Sequence, residues 1–363
     1  MKTGKTLAEL AAELDRQSRA KHDYIADTRR LDVAVRDDKP VLVMQDRQFE
    51  ISDIAHGQIA EHTKIPKPYY DRMAKEAPGL LANNVKTWFD KYPAERMIRT
   101  LDDRNRAFLS NSFRPLDNYD FGQVILGACA ERKLEIVSAD ITERKLYIKA
   151  IDKQEFQVPI GYKMGDGSHR IFDVCCPVFI ASNSEVGFGR LSLDTGVYTH
   201  ACTNLAWFTD GGMKKTHLGS RHKIVEATGV ESIDHLLSDK TRQKSDEALW
   251  MQLRDVLGAA FDGKRIENRT ERLASAATKK IGGDVPKMIE LVRTNFGLTE
   301  TEGGNVLRHL IEGGSLTQYG LHAAVTRAAQ DSADYDRATE LEYLGGRIID
   351  LPQTEWAVLA DAA

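Results

Sequence analysis

The chain has 363 residues, 29% charged and 42% hydrophobic, a length that suits about two domains with enough chain for a sizeable core. No stretch approaches the ~18 uncharged apolar residues of a membrane-spanning helix, and the N-terminus lacks the apolar run of a secretory signal. Four cysteines make no disulfide framework, so a disulfide scaffold and a spanning protein are excluded and a cytoplasmic location is expected. The formal charge of -4 excludes a histone-like polycation but hides an asymmetry. From Gly297 onward eleven acids meet four bases, a net of -7, which leaves +3 on the preceding body and makes a nucleic-acid face there feasible.

Leu7, Leu10, Ala11 and Leu14 recur at helical spacing, and the first 30 residues read as a helix. Short β-rich pieces follow (LDVAVRD, PVLVMQD, FEIS), broken by polar turns. Ser52 and Asp53 can cap a helix carrying Ile54, Ile59 and Ala60, which Pro66 and Pro68 stop. A further helical stretch carries Tyr69, Tyr70, Met73, Leu81, Val85, Trp88 and Phe89; Trp88, like Trp250 and Trp356, reads as core.

From Arg96 the pattern turns β: RMIRTLD and NRAFLSNSF form a hairpin through Asp102-Asp103-Arg104. After a helix with Phe121, Val124, Ile125 and Cys129, LEIVSADIT and KLYIKAID form a second hairpin through Glu143-Arg144. A Gly-rich gap (Gly161, Gly165, Gly167) precedes two longer strands, RIFDVCCPVFIASNS and GRLSLDTGVYTHACT, with a turn at Glu185 to Phe188. Beyond Asp234 the periodicity is helical to the end. The fold class expected is α+β: β-hairpins packed with helices in a body over residues 1–230, then an all-α, acidic C-terminal part over residues 231–363.

Catalytic signatures are missing: there is no phosphate-binding Gly-x4-Gly-Lys-Ser/Thr, no Gly-x-Ser-x-Gly elbow, no His-Glu-x-x-His and no Cys-x-x-Cys. His200 and Cys202 share a strand face and could meet Cys175 or Cys176 around a metal, but the spacing matches no established pattern. No cofactor is expected. The stronger signal is basic residues with aromatics between them. Arg96, Arg99, Arg104, Arg106 and Arg114 interleave with Phe108 and Phe113, and in a regular strand Arg104, Arg106 and Phe108 share one face. Arginine forks bind phosphates while an aromatic face accepts any base. A second basic segment follows Trp207 and Phe208, which join Phe108 and Phe113 as candidates to stack bases: Thr209 to Lys223 reads as a Gly-rich loop carrying Lys214, Lys215, Arg221 and Lys223. Arg190 joins the candidate contacts.

Four segments together resemble the phage- and plasmid-associated domain-of-unknown-function family 932: PKPYYDRMAKEAPGLLANNVKTWF, MIRTLDDRNRAFLSNSFRPLDNYDF, ASNSEVGFGRLSLDTGVYTHACTN and GLHAAVTRAAQDSADYDRATELEYLGGRIIDL. That resemblance implies a mobile-element protein acting on element DNA and carries over no catalytic residue. The hairpins around a helix also resemble, at the level of architecture, single-strand annealing proteins of the phage Red-beta type, which implies a homo-oligomer holding single-stranded DNA in a basic groove. The leading expectation is a non-enzymatic single-stranded DNA-binding or annealing protein. The alternatives are an inhibitor of a host defence protein, acting through the acidic helical end, and a metal-dependent nuclease.

Overall fold

The computed structural model describes residues 2–163, 169–199, 204–215, 217, 239–259, 261 and 263–361. Thr6 begins the first element: its hydroxyl accepts from the Glu9 amide while the Glu9 carboxylate accepts from the Thr6 amide, a capping box that starts α1 (Leu7–Ala20). The helix ends sooner than its charge pattern suggests. Lys21–Asp27 forms β1, an edge strand paired with β5 (Glu95–Leu101), which turns Tyr24 and Ala26 toward a core and leaves Ile25 exposed.

β2 (Leu31–Arg36), β3 (Lys39–Met44), β4 (Arg47–Ile51), β5 and β6 (Arg104–Ser110) complete a six-stranded sheet in the order β1-β5-β6-β4-β3-β2. Two of its hairpins turn on aspartate pairs, Asp37-Asp38 (φ 51° and 56°) and Asp102-Asp103 (φ 52° and 58°). Two consecutive left-handed residues give the turn whose twist matches that of the strands, and aspartate tolerates that region better than most residues. β4 and β6 are parallel, so the chain between them must cross over; it does so as α2 (Asp53–Thr63), α3 (Lys67–Glu76) and α4 (Pro78–Lys91). Ile59, Tyr70, Leu81, Val85 and Phe89 of these helices meet Leu31, Leu42, Phe49, Ile98 and Phe108 of the sheet.

The second sheet follows α5 (Asn118–Glu131). Its strands are β7 (Glu135–Ile141), β8 (Leu146–Ile151), β9 (Phe156–Lys163), β10 (His169–Asn183), β11 (Leu191–Thr199) and β12 (Asn204–Lys215). The order is β12-β11-β10-β8-β7, with β9 also on β10, whose length lets it serve β8 and β9 on one side and β11 on the other. β9 occupies part of the stretch read as a gap, and β12 extends through Lys215 where a loop was expected. Its strand character is masked in the sequence by a bulge that leaves Thr209 to Gly212 opposite Asp194.

Helices cover both faces of this sheet. On one, Ile148, Phe179 and Leu193 pack with Leu10 and Leu14 of α1, Phe121 and Ile125 of α5, and Leu249 and Leu253 of α6 (Asp239–Ala259). On the other lie α7 (Gly263–Thr278), α10 (Gln318–Asp331) and α11 (Tyr335–Ile349), which bring Leu273, Tyr319, Tyr335 and Ile349 against Val197, Trp207 and Phe208. With α8 (Val285–Phe296), α9 (Glu300–Gly313) and α12 (Gln353–Ala360) they also share a core of their own around Val292, Leu310, Val325 and Ile348. The α+β body with an all-helical C-terminal part is therefore present, but that part is the outer layer of the second sheet. The boundary expected near residue 230 lies outside the described residues.

This interface is polar as well as apolar. Trp207 Nε1 and Lys149 Nζ both donate to Glu342 Oε2 (3.0 and 2.7 Å), Tyr147 donates to Asp336 (2.8 Å), and Tyr319 donates to Asp173 (2.6 Å). Each hydroxyl, indole N–H or cation from one layer finds a carboxylate on the other, which gives these buried donors a partner and fixes how the layers register.

Candidate nucleic-acid interface

The arginine stripe does not form one open face. A register shift opposite Arg99 and Thr100 breaks the alternation of β6, so Phe108 pairs across from Ile98 on the helix-covered face while Arg106 turns to Glu185. Arg99 is 2% exposed, forks onto Asp23 (2.8 and 2.9 Å), reaches Asp117 (3.1 Å) and donates to the Glu185 carbonyl. Lys21 joins the same cluster through Asp117 (2.6 Å), so three cations meet three carboxylates where the two sheets abut. Arg104 pairs with Glu143 (3.1 Å) and Arg114 with Asp246. Arg99 and Arg106 are thus structural cations holding the sheets together, and burial replaces their expected role as phosphate ligands. Phe113 is likewise interior, stacked on His217 at 4.9 Å.

Trp207 is 1% exposed and Phe208 fully buried, so neither is a base-stacking surface; both anchor the C-terminal helices. In the second basic segment Lys214 and Lys215 end β12 exposed, and Lys214 stands 3.5 Å from Asp194. Arg221 and Lys223 lie outside the described residues, as do His200 and Cys202 of the metal reading. Among the described residues no group of three His, Cys, Asp or Glu is arranged to hold a metal ion. Burial pushes the Cys175 thiol up to about 12.

The structure instead opens a cleft of about 1060 Å³ between α2, the end of α4 and the β5–β6 hairpin. Arg96 and Phe108 are the sequence-derived candidates that line it. Arg96 Nη2 donates to His62 Nδ1 (2.5 Å) and its guanidinium lies 5.7 Å from the centre of the Phe108 ring. Burial, aided by the Arg96 charge, holds His62 down to about 4, so its ring is neutral at pH 7 and free to accept that proton. Phe108 is the apolar floor, stacked flat on Phe89.

Tyr69 and Trp88, which the sequence assigns to packing, form the walls together with Tyr92, for which it offers no role. Trp88 and Tyr92 stack with their rings 5.8 Å apart and 7° from parallel, and Tyr92 is 61% exposed. Lys91 lies over both rings, 5.3 Å from the Trp88 centre. Tyr69, half exposed, faces them from the start of α3. Lys64 enters the cleft from the C-cap of α2, where it adopts the left-handed conformation (φ 56°). Lys64, Lys91 and Arg96 form no ion pair among the described residues; Glu61 is the one carboxylate in the lining. The available signal was the four-residue spacing of Trp88 and Tyr92 with Lys91 between them, on the last turn of a helix. Tyr92 sits beyond the helix end, where a core partner is least expected.

No protein-family model, no curated protein and no solved structure matches the chain. Among the described residues no helix is long and apolar enough to cross a membrane.

Proposed function

We propose that the chain binds single-stranded DNA, with this cleft as the primary contact. The observation that carries the reading is the grouping of Lys64 and Arg96 in the cleft lining with Lys91 over the stacked Trp88–Tyr92 pair, all three free of ion pairs among the described residues. Cations without carboxylate partners are available to neutralise phosphates, and exposed aromatic faces accept unstacked bases of any identity. A duplex hides its base faces, so the aromatic wall favours a single strand. The role needs no covalent chemistry. A setting in mobile-element recombination or replication, including strand annealing, rests on the sequence resemblance.

The alternative, inhibition of a host protein by the acidic helical end, has less support. Glu302 and Glu340 pair with Arg337, Asp331 with Arg308 and Asp350 with Arg272, while Asp336 and Glu342 are buried in the sheet interface. Arg308 and Arg337 already enter the -7, but the pairing of Asp350 with Arg272 and the burial of Asp336 and Glu342 withdraw three further carboxylates from what a basic partner would meet.

Fluorescence anisotropy with labelled single- and double-stranded oligonucleotides at low salt tests the proposal. The expected result is preference for the single strand and roughly tenfold weaker binding for Tyr92→Ala, a side chain exposed enough to remove without disturbing the core. Absence of binding, or affinity indifferent to Tyr92→Ala and to Lys64→Glu with Lys91→Glu, overturns it.

A further inference from the structure

We infer that a second DNA-contacting station lies on the paired turns β7–β8 and β10–β11, extending the track beyond the cleft; this rests on the single-stranded DNA reading above. Phe188 is 42% exposed at the tip of the β10–β11 turn, and the Arg144 guanidinium of the neighbouring turn lies 5.0 Å from its ring centre. Arg190 is exposed just beyond, and the Lys145 side chain runs alongside Gly189. None of Arg144, Lys145 and Arg190 forms an ion pair among the described residues, in contrast with Arg99, Arg104, Arg106 and Arg114. Unpartnered cations around an exposed aromatic ring repeat the chemistry of the cleft.

The station is built, not incidental. The buried Ser184 hydroxyl donates to the Arg144 carbonyl (2.8 Å) and accepts from the Phe188 amide (2.9 Å), so one side chain locks the two turns together. Thr142 Oγ1 accepts from the amides of Arg144 and Lys145 (3.1 and 3.0 Å) and shapes the other turn. Gly187 has φ +80°, a conformation open to glycine, and a Cβ there would come within 2.8 Å of Leu109. The same Gly187 lines the cleft, and Gln58 ties the turn to α2 by donating to the Val186 carbonyl (2.8 Å). A strand leaving the cleft past Gly187 therefore arrives at Phe188. Preorganised backbone spares the ordering cost that a mobile loop would bring to binding.

The test uses full-length protein and labelled oligothymidylates of about 5 and about 15 nucleotides, lengths that bracket a one-station and a two-station footprint. Arg144→Ala combined with Phe188→Ala should leave the short probe's affinity unchanged and weaken the long one roughly tenfold, while Tyr92→Ala weakens both. Ser184→Ala, which leaves every cation and ring in place but unlocks the turns, should weaken the long probe alone by a smaller factor. If the turn variant binds the long probe like wild type while Tyr92→Ala weakens it, the second station is refuted and the cleft reading stands. If the turn variant weakens both probes and Tyr92→Ala neither, the cleft reading falls and the turns are the site. If wild type binds neither probe, both are wrong.

Discussion

Lys149 Nζ lies 2.7 Å from Glu342 Oε2, and neither side chain reaches solvent (0% and 1% exposed). The pair spans β8 and α11, so it joins the second sheet to its helical cover. Removing one partner of a buried ion pair strands the other charge. Lys149→Met is therefore expected to lower stability by about 3–5 kcal/mol. Adding Glu342→Gln, which keeps an acceptor for Trp207 Nε1, should recover much of that loss. Urea denaturation of the two variants checks this; equal losses would mean the charge pair is not what links the layers.

Two glycines allow opposite outcomes from the same substitution. Gly346 sits where α11 crosses β12, and a Cβ there would lie 1.9 Å from the Trp207 carbonyl oxygen. Gly346→Ala must push the helix off the sheet, at a cost of about 1–3 kcal/mol or more. Gly304, exposed in α9, has nothing within 4 Å, so Gly304→Ala should stabilise by about 0.5–1 kcal/mol through helix propensity alone. Thermal melts of the two variants should move in opposite directions.

His322 provides a pH test. It is 2% exposed on α10, its Nδ1 stands 3.0 Å from the Gly345 carbonyl, and burial holds its pKa down to about 4. Because the folded value is below the unfolded one, the unfolded chain takes up the proton first as pH falls. Stability attributable to this group is full near neutrality, declines below the unfolded value of about 6.5 and levels off below about 4. Between pH 7 and pH 5 the loss should be about 2 kcal/mol. His322→Asn can place an amide near Nδ1 without titrating, so its denaturation midpoint should depend less steeply on pH over that range.

Salt reports on the cleft directly. Each phosphate neutralised on a single strand contributes about 0.7 to the slope of log affinity against log salt. Replacing Lys64 and Lys91 by alanine should therefore reduce that slope by about 1.4. An unchanged slope would place the phosphates elsewhere.

The hairpins were legible because their turns carry a local signature: Asp102-Asp103 and Glu143-Arg144 interrupt alternating apolar runs, and strands form on either side of both. The C-terminal helices were legible from periodicity and from caps such as Thr299 with Glu302. What local patterning does not contain is the partner. β1 was read as helix because its strand character comes from pairing with β5, far along the chain. The stripe of arginines looked like one face because the bulge at Arg106 leaves no mark in the sequence. Trp88 reads as core and Trp207 as a base-stacking contact in the sequence, and the structure reverses the two: Trp88 lines a cleft and Trp207 is sealed under α11, because the packing of distant helices decides which ring is covered.

The first sheet and its three covering helices draw every element from residues 21–110. During synthesis that unit can close as soon as its last strand, β6, has left the ribosome. α1 emerges before all of it, yet its inward leucines belong to a core with Phe121, Ile148 and Leu253. A helix made before the first sheet is therefore buried only after that sheet has closed, and until residues near 253 exist it trails from a finished sheet as an amphipathic handle that chaperones or proteases can reach.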